Sequence, residues 1–275
     1  MHNQLQSDAE ASDAAAATPA LLDFRHVNVM LGQKLILNDL SLQIGAGEHV
    51  AILGPNGCGK STLIKTINRE LYPLDRPGSS LSLFGRQVWN VFELRPLLGI
   101  VSNDLMRICT REITGLEVVL SGFFSSIGLQ PYHEVTPAMR EKANQVLELL
   151  EVPHLADREM TELSSGEGHR LLIGRALVHD PLALLLDEPC NSLDFRAALE
   201  LRAVLRKLAQ AGTGILMVTH HLPDIIPEID RVILLRSGQV FADGSKTELL
   251  TTARLSELFG LPVELSERDG FYHLW

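Results

Sequence analysis

Apolar positions along the chain fall into successive regimes. From Asp23 to Gly47 they form short runs of β type, Phe24 to Met30, Leu35 to Leu37 and Leu40 to Ile44, separated by Gly32 and Asn38-Asp39. With the closing turn Gly45-Ala46-Gly47 they predict an antiparallel β layer. Val50-Ala51-Ile52-Leu53 differs in being continuously apolar, as in a parallel strand buried on both faces, and it leads through glycines into the helical run Leu63 to Ile67. Strands follow at Leu81 to Phe84, after the turn Pro77-Gly78-Ser79-Ser80, and at Leu98 to Ser102. Three- and four-residue spacing then predicts helices over Leu116 to Phe124, Thr136 to Leu150 and Gly166 to Val178, so a helical insertion occupies about residues 104–164. The remainder alternates: strand Leu182 to Leu186, helix Phe195 to Gln210, then strands Gly214 to Val218, Val232 to Leu235 and Gln239 to Phe241, the last pair joined across Ser237-Gly238. Two short helices, Lys246 to Thr251 and Ala253 to Leu258, complete the pattern.

These elements predict one α/β domain over residues 21–275, with a mainly parallel core sheet, an antiparallel β layer and a helical subdomain. No internal repeat is visible. Residues 1–20 are polar and then alanine-rich, without a usable apolar face, and are expected to be a disordered leader.

Composition narrows the function. A net charge of -10 over 275 residues implies no broad basic face, so nucleic acid is not an expected partner. No apolar run is long enough to cross a bilayer, and Met1-His2-Asn3-Gln4-Leu5 lacks the features of a secretory signal. Direct membrane insertion is therefore not expected, and work at a membrane would need another polypeptide to span it. Cys58, Cys109 and Cys190 show neither metal spacing nor a paired framework, which suits free thiols in a reducing cytoplasm.

The candidate chemistry centres on Gly54-Pro55-Asn56-Gly57-Cys58-Gly59-Lys60-Ser61-Thr62, which fits G-x-x-x-x-G-K-[ST] between strand and helix. Glycines let successive N–H groups turn toward phosphate oxygens, Lys60 adds a point charge for the β- and γ-phosphates, and the Ser61 hydroxyl can ligate Mg²⁺. Binding of ATP or GTP follows. Leu184-Leu185-Leu186-Asp187-Glu188-Pro189 is an apolar strand ending in two carboxylates: Asp187 is suited to hold Mg²⁺ and Glu188 to polarise the water that attacks the γ-phosphate. Leu163-Ser164-Ser165-Gly166-Glu167 reads as a capping box, Ser164 with Glu167, at a helix N-terminus that is also an anion site. Cys58, beside Lys60 at a helix start, is expected to be the reactive thiol. His169 and His221 read as solvated.

In order, the phosphate loop, Leu163 to Glu167, Leu186 to Pro189, Asn191-Ser192-Leu193-Asp194 and Val218-Thr219-His220 resemble the ATP-binding cassette (ABC) family over about residues 23–244. The resemblance implies a P-loop ATPase fold of ABC type, ATP and Mg²⁺ as cofactors, and transmembrane permease subunits as partners at the inner face of the cell membrane. It implies as well that two cassettes, identical chains or different ones, close head to tail, with Ser164, Gly166 and Glu167 of one at the ATP held by the P-loop of the other. Asp194 would then lie in the loop linking the two sites, and His220 would sense the γ-phosphate. Three departures stand out. Ser165 and Glu167 replace the usual glycine and glutamine; Asn103 replaces the glutamine that reaches Mg²⁺ or the attacking water; and Leu31, before Gly32, stands where an aromatic ring usually meets adenine. Ile100-Val101-Ser102, Val118 to Leu129 and Thr219-His220-His221 resemble ATPases of the molybdate-transport and photorepair type. The alternative of a soluble ABC ATPase in nucleic-acid repair or translation is weakened by the single cassette without long inserted arms. A purely regulatory module is disfavoured by the intact Lys60, Asp187, Glu188 and His220.

Overall fold

A computed structural model describes residues 20–275. Apart from its last residue, the leader expected over residues 1–20 lies outside them. A three-stranded antiparallel sheet is built from β1 (Leu22–Leu31), β2 (Lys34–Ile44) and β4 (Ser80–Leu83), in the order β2-β1-β4. β3 (His49–Leu53) lies in the second, six-stranded sheet with β5 (Leu98–Val101), β6 (Ala183–Asp187), β7 (Gly214–Thr219), β8 (Arg231–Arg236) and β9 (Gln239–Ser245). Its order is β5-β6-β7-β3-β8-β9; all neighbours are parallel except the β8–β9 hairpin. A C-terminal hairpin joins β10 (Leu265–Arg268) to β11 (Phe271–Leu274).

The helices are α1 (Lys60–Ile67), α2 (Val91–Leu94), α3 (Asn103–Cys109), α4 (Gly115–Ser121), α5 (Pro137–Leu149), α6 (Ser165–Leu177), α7 (Phe195–Gln210), α8 (Lys246–Leu249) and α9 (Thr252–Phe259). The six-stranded sheet divides the interior in two, as the period-2 alternation of a strand requires. Ala51, Leu53, Leu184, Leu186, Ile215 and Met217 face a core shared with α4, α5, α6 and α7. Val50, Ile52, Leu185, Leu216 and Val218 face the other core, with α1 and the antiparallel sheet. Continuous apolar runs in β3 and β6 are thus explained by burial on both faces.

The structure departs from the sequence pattern in several places. Leu35 to Leu37 and Leu40 to Ile44 form one strand, because Asn38-Asp39 makes a bulge instead of a break: Asp39 takes φ 54° while its N–H bonds to the Asn28 side chain at 3.0 Å. The last strand of the six-stranded sheet runs on to Ser245, and the helix expected over Lys246 to Thr251 ends at Leu249. α2, α3 and the β10–β11 hairpin carry no clear apolar period and were not anticipated as separate elements. Asp269-Gly270 at the hairpin tip has φ 54° and 78°, the two positive values of a type I′ turn, so this dipeptide was the available signal.

Candidate nucleotide site

β3, β7 and β6 lie side by side, so the segments leaving their C-terminal ends converge: the phosphate loop after Leu53, His220 after Thr219, and Glu188 after Asp187. This is where parallel α/β sheets open a ligand crevice. Gly54 begins the loop with no room for a side chain, since a Cβ there would stand 2.3 Å from the Leu235 carbonyl and 2.7 Å from Cys58 Sγ. Lys60 is buried, and its ammonium donates to the Gly54 carbonyl at 2.7 Å and the Pro55 carbonyl at 3.3 Å, which holds the loop around the cation. Cys58 N–H closes a turn on the Pro55 carbonyl at 3.2 Å and the first helical turn closes only at Leu63 N–H to Gly59 O, 2.9 Å, so the N–H groups between them, at the helix start, remain for an anion. Ser61 is exposed at this helix start, with Thr62 buried behind it.

Asp187 ends β6 half-buried, and its carboxyl is pushed up to about 6, first by burial and then by the adjacent Glu188 charge, with Lys60 opposing. Glu188 turns the chain out of the strand at φ 49°, a left-handed conformation that costs a non-glycine residue on the order of 1 kcal/mol or more. Its N–H donates to the Val218 carbonyl at 2.8 Å, and Oε1 accepts from His220 Nδ1 at 2.7 Å. Oε2 of Glu188 and Nε2 of His220 stay available. On the far side of β6, Asn103 opens α3 at the end of β5, half-buried and capped by Ser102, which accepts from Leu105 N–H at 3.2 Å. Leu31 is 57 % exposed at the tip of the β1–β2 hairpin.

Ser164, Gly166 and Glu167 are placed elsewhere. Ser164 caps α6, its Oγ accepting from Glu167 N–H at 3.3 Å and donating to Glu167 Oε2 at 2.7 Å, which lowers the Glu167 carboxyl. Together with Asp194, Arg170, Arg196 and Lys207 they line an open cavity of about 540 Å³ into which no phosphate-loop residue projects. The phosphate loop and the head of α6 therefore do not share a cavity within one chain.

Two sequence expectations fail. The Cys58 thiol is 4 % exposed and its pKa is raised by burial, which outweighs the Lys60 charge, so it is not an activated nucleophile. His169 is 3 % exposed, with Nδ1–H donating to the Ser165 carbonyl at 2.8 Å, and burial lowers its pKa; only His221 is solvated. Gly238 does more than close the turn between β8 and β9. In fact its N–H donates to the Cys58 carbonyl at 2.8 Å and its carbonyl accepts from Asn38 N–H at 3.0 Å, which ties the phosphate loop to β2.

A phosphate loop after a central parallel strand, flanked by a strand ending in two carboxylates, defines a P-loop nucleoside triphosphatase. A family model described as "ABC transporter" matches residues 37–191. The chain is 34% identical over 250 residues to an uncharacterized ABC transporter ATP-binding protein of Bacillus subtilis (strain 168), covering 89% of this chain and 93% of that protein. It is 31% identical over 261 residues to the hemin import ATP-binding protein HmuV of Bradyrhizobium diazoefficiens, covering 91% and 92%. Among solved structures, a metal-chelate type ABC transporter in an inward-facing conformation gives a TM-score of 0.73 at 25% identity, covering 94% of this chain and 97% of that chain. A dimeric ATP-binding cassette in a post-hydrolysis state with ADP and Pi gives 0.67 at 25%, covering 82% and 98%. The chain belongs to the ABC transporter ATP-binding family and is an ATP-hydrolysing subunit of such a transporter.

Proposed function

We propose that this chain hydrolyses ATP with Glu188 as the base that takes the proton from the attacking water through Oε2, while His220 holds Oε1 and meets the γ-phosphate through Nε2. The observation that carries this reading is the 2.7 Å Glu188–His220 bond at the sheet edge that also launches the phosphate loop. Lys60 and the free N–H groups of the loop bind the phosphates. The oxygen donors Ser61 and Asp187 suit Mg²⁺, with Asn103 at the neighbouring strand end. Among the described residues no cluster of three or more His, Cys, Asp or Glu could hold a metal ion. The raised Asp187 carboxyl, crowded by Glu188, favours a cation beside it. When bound, Mg²⁺ neutralises charge on the β- and γ-phosphate oxygens.

Because Ser164, Gly166 and Glu167 face away from the chain's own phosphate loop, the second half of each site comes from another cassette. Phe195, 79 % exposed next to Asp194, leaves apolar surface for that contact. No described helix is long and apolar enough to cross a membrane. Permease subunits at the inner membrane face would supply the path, docked on the helical subdomain at about residues 104–164 of the single cassette. Uptake is the direction favoured by the full-length likeness to a hemin import protein. Val118 to Leu129 and Thr219-His220-His221 support a place near the molybdate-transport and photorepair branch. The test is a pair of substitutions read by nucleotide binding and phosphate release. Lys60→Ala loses ATP binding; Glu188→Gln keeps binding and stops hydrolysis. Hydrolysis surviving in Glu188→Gln contradicts the assignment.

A further inference from the structure

Behind the Glu188–His220 pair lies a polar network that the phosphate chemistry does not use. Thr219 ends β7 and directly precedes His220; its Oγ1 accepts from His221 N–H at 2.9 Å and donates to Asp224 Oδ2 at 3.2 Å. Asp224 is 1 % exposed, in the short 3-10 turn Leu222–Asp224, whose backbone closes with Asp224 N–H on the His221 carbonyl at 3.2 Å. Its other oxygen, Oδ1, accepts from Arg202 Nη2 at 3.1 Å. Arg202 projects from α7, the helix whose N-cap is Asp194. Cys190, two residues beyond Glu188, borders the same carboxylate, and burial with Asp224 nearby pushes its thiol up to about 12.

Removing a carboxylate and a guanidinium from water is costly for each ion, and a well-packed apolar pair would join the turn to α7 at least as firmly. What an ion pair adds is direction: Asp224 can satisfy Arg202 and Thr219 together in only one orientation. Thr219 in turn fixes the peptide on the far side of His220. We propose that Thr219, Asp224 and Arg202 are positioning residues for hydrolysis, setting the angle at which His220 leaves β7 and making its contact with Glu188 depend on the seating of α7. This rests on the reading of Glu188 and His220 as the hydrolytic pair. It gives Asp194, the N-cap of the helix that carries Arg202, a mechanical route to that pair.

Thr219→Val keeps the side-chain shape and removes both hydrogen bonds, whereas Thr219→Ser keeps the hydroxyl. Steady-state ATPase kinetics, ATP binding and thermal melting are measured on both, with Glu188→Gln alongside. Thr219→Val should lower kcat roughly tenfold while KM stays within about twofold, the pattern of a misplaced catalytic group. Thr219→Ser should restore kcat. The deficit should persist far below the melting temperature, where a purely structural defect would vanish. Should Thr219→Val not fold, Asp224→Asn serves: it keeps the shape, removes the charge that holds Arg202, and should lower kcat with KM unchanged. A wild-type kcat in Thr219→Val beside an inactive Glu188→Gln overturns the positioning role alone, as does a deficit that disappears on cooling. An active Glu188→Gln overturns the hydrolytic pair and this inference with it.

Discussion

Asp187 carries a carboxyl pushed up to about 6, so the folded protein keeps a proton there between about pH 4 and 6 that the unfolded chain releases. Through that interval the unfolded state binds fewer protons, and stability falls as pH rises; below it both states are protonated and the penalty is absent. Asp187→Asn should therefore raise the melting temperature of the nucleotide-free protein at about pH 8 and leave it nearly unchanged at about pH 4. Equal shifts at both values would contradict the assignment. Cys58 yields a second expectation at this scale. With its thiol buried against Gly54 and its pKa raised, alkylation in the native protein should be slow and become fast only in denaturant; mass spectrometry of the labelled peptide reads it. Rapid native labelling of Cys58 would mean that the loop opens. Leu31 gives a third. An aromatic ring stacked on a base is worth roughly 1–3 kcal/mol, so Leu31→Tyr should tighten ATP binding about tenfold in a titration, and unchanged affinity would place the base elsewhere.

Elements show why part of the site was legible from sequence and part was not. The strand, glycine turn and helix around Lys60 are contiguous, and so are β6 with its two carboxylates, so local pattern alone located them. Cys58 and His169 were misjudged because their cover comes from distant segments: Leu235 and the Gly238 turn in one case, the helices packed around α6 in the other. Arg202 and Asp224 meet across 22 residues with no motif to announce them. The short, polar β10–β11 hairpin buries only Tyr272 and shows no period beyond Asp269-Gly270. Gly238 tests the support beneath the phosphate loop. At φ 78° and with a Cβ that would lie 1.9 Å from the Ile36 carbonyl, Gly238→Ala should cost on the order of 2 kcal/mol and weaken ATP binding together with stability. A stable Gly238→Ala with normal affinity would show that the hairpin does not hold the loop.

At the scale of the whole molecule, Lys60, Asp187, Glu188 and His220 gather at the sheet edge, whereas Ser164, Gly166 and Glu167 sit at the head of α6 beside a cavity of about 540 Å³. The proposed site pairs the first group with the second group of another cassette turned head to tail. Without ATP the two surfaces have little to hold them together, since the shared ligand is the anion between a phosphate loop and a helix N-terminus. Blocking hydrolysis should trap that state. The most direct measurement is the mass in solution, by sizing with light scattering, of Glu188→Gln with and without Mg-ATP: the account predicts a monomer without nucleotide and a dimer with it, lost again on adding Ser164→Arg. A Glu188→Gln protein that binds Mg-ATP and remains monomeric would contradict the shared site.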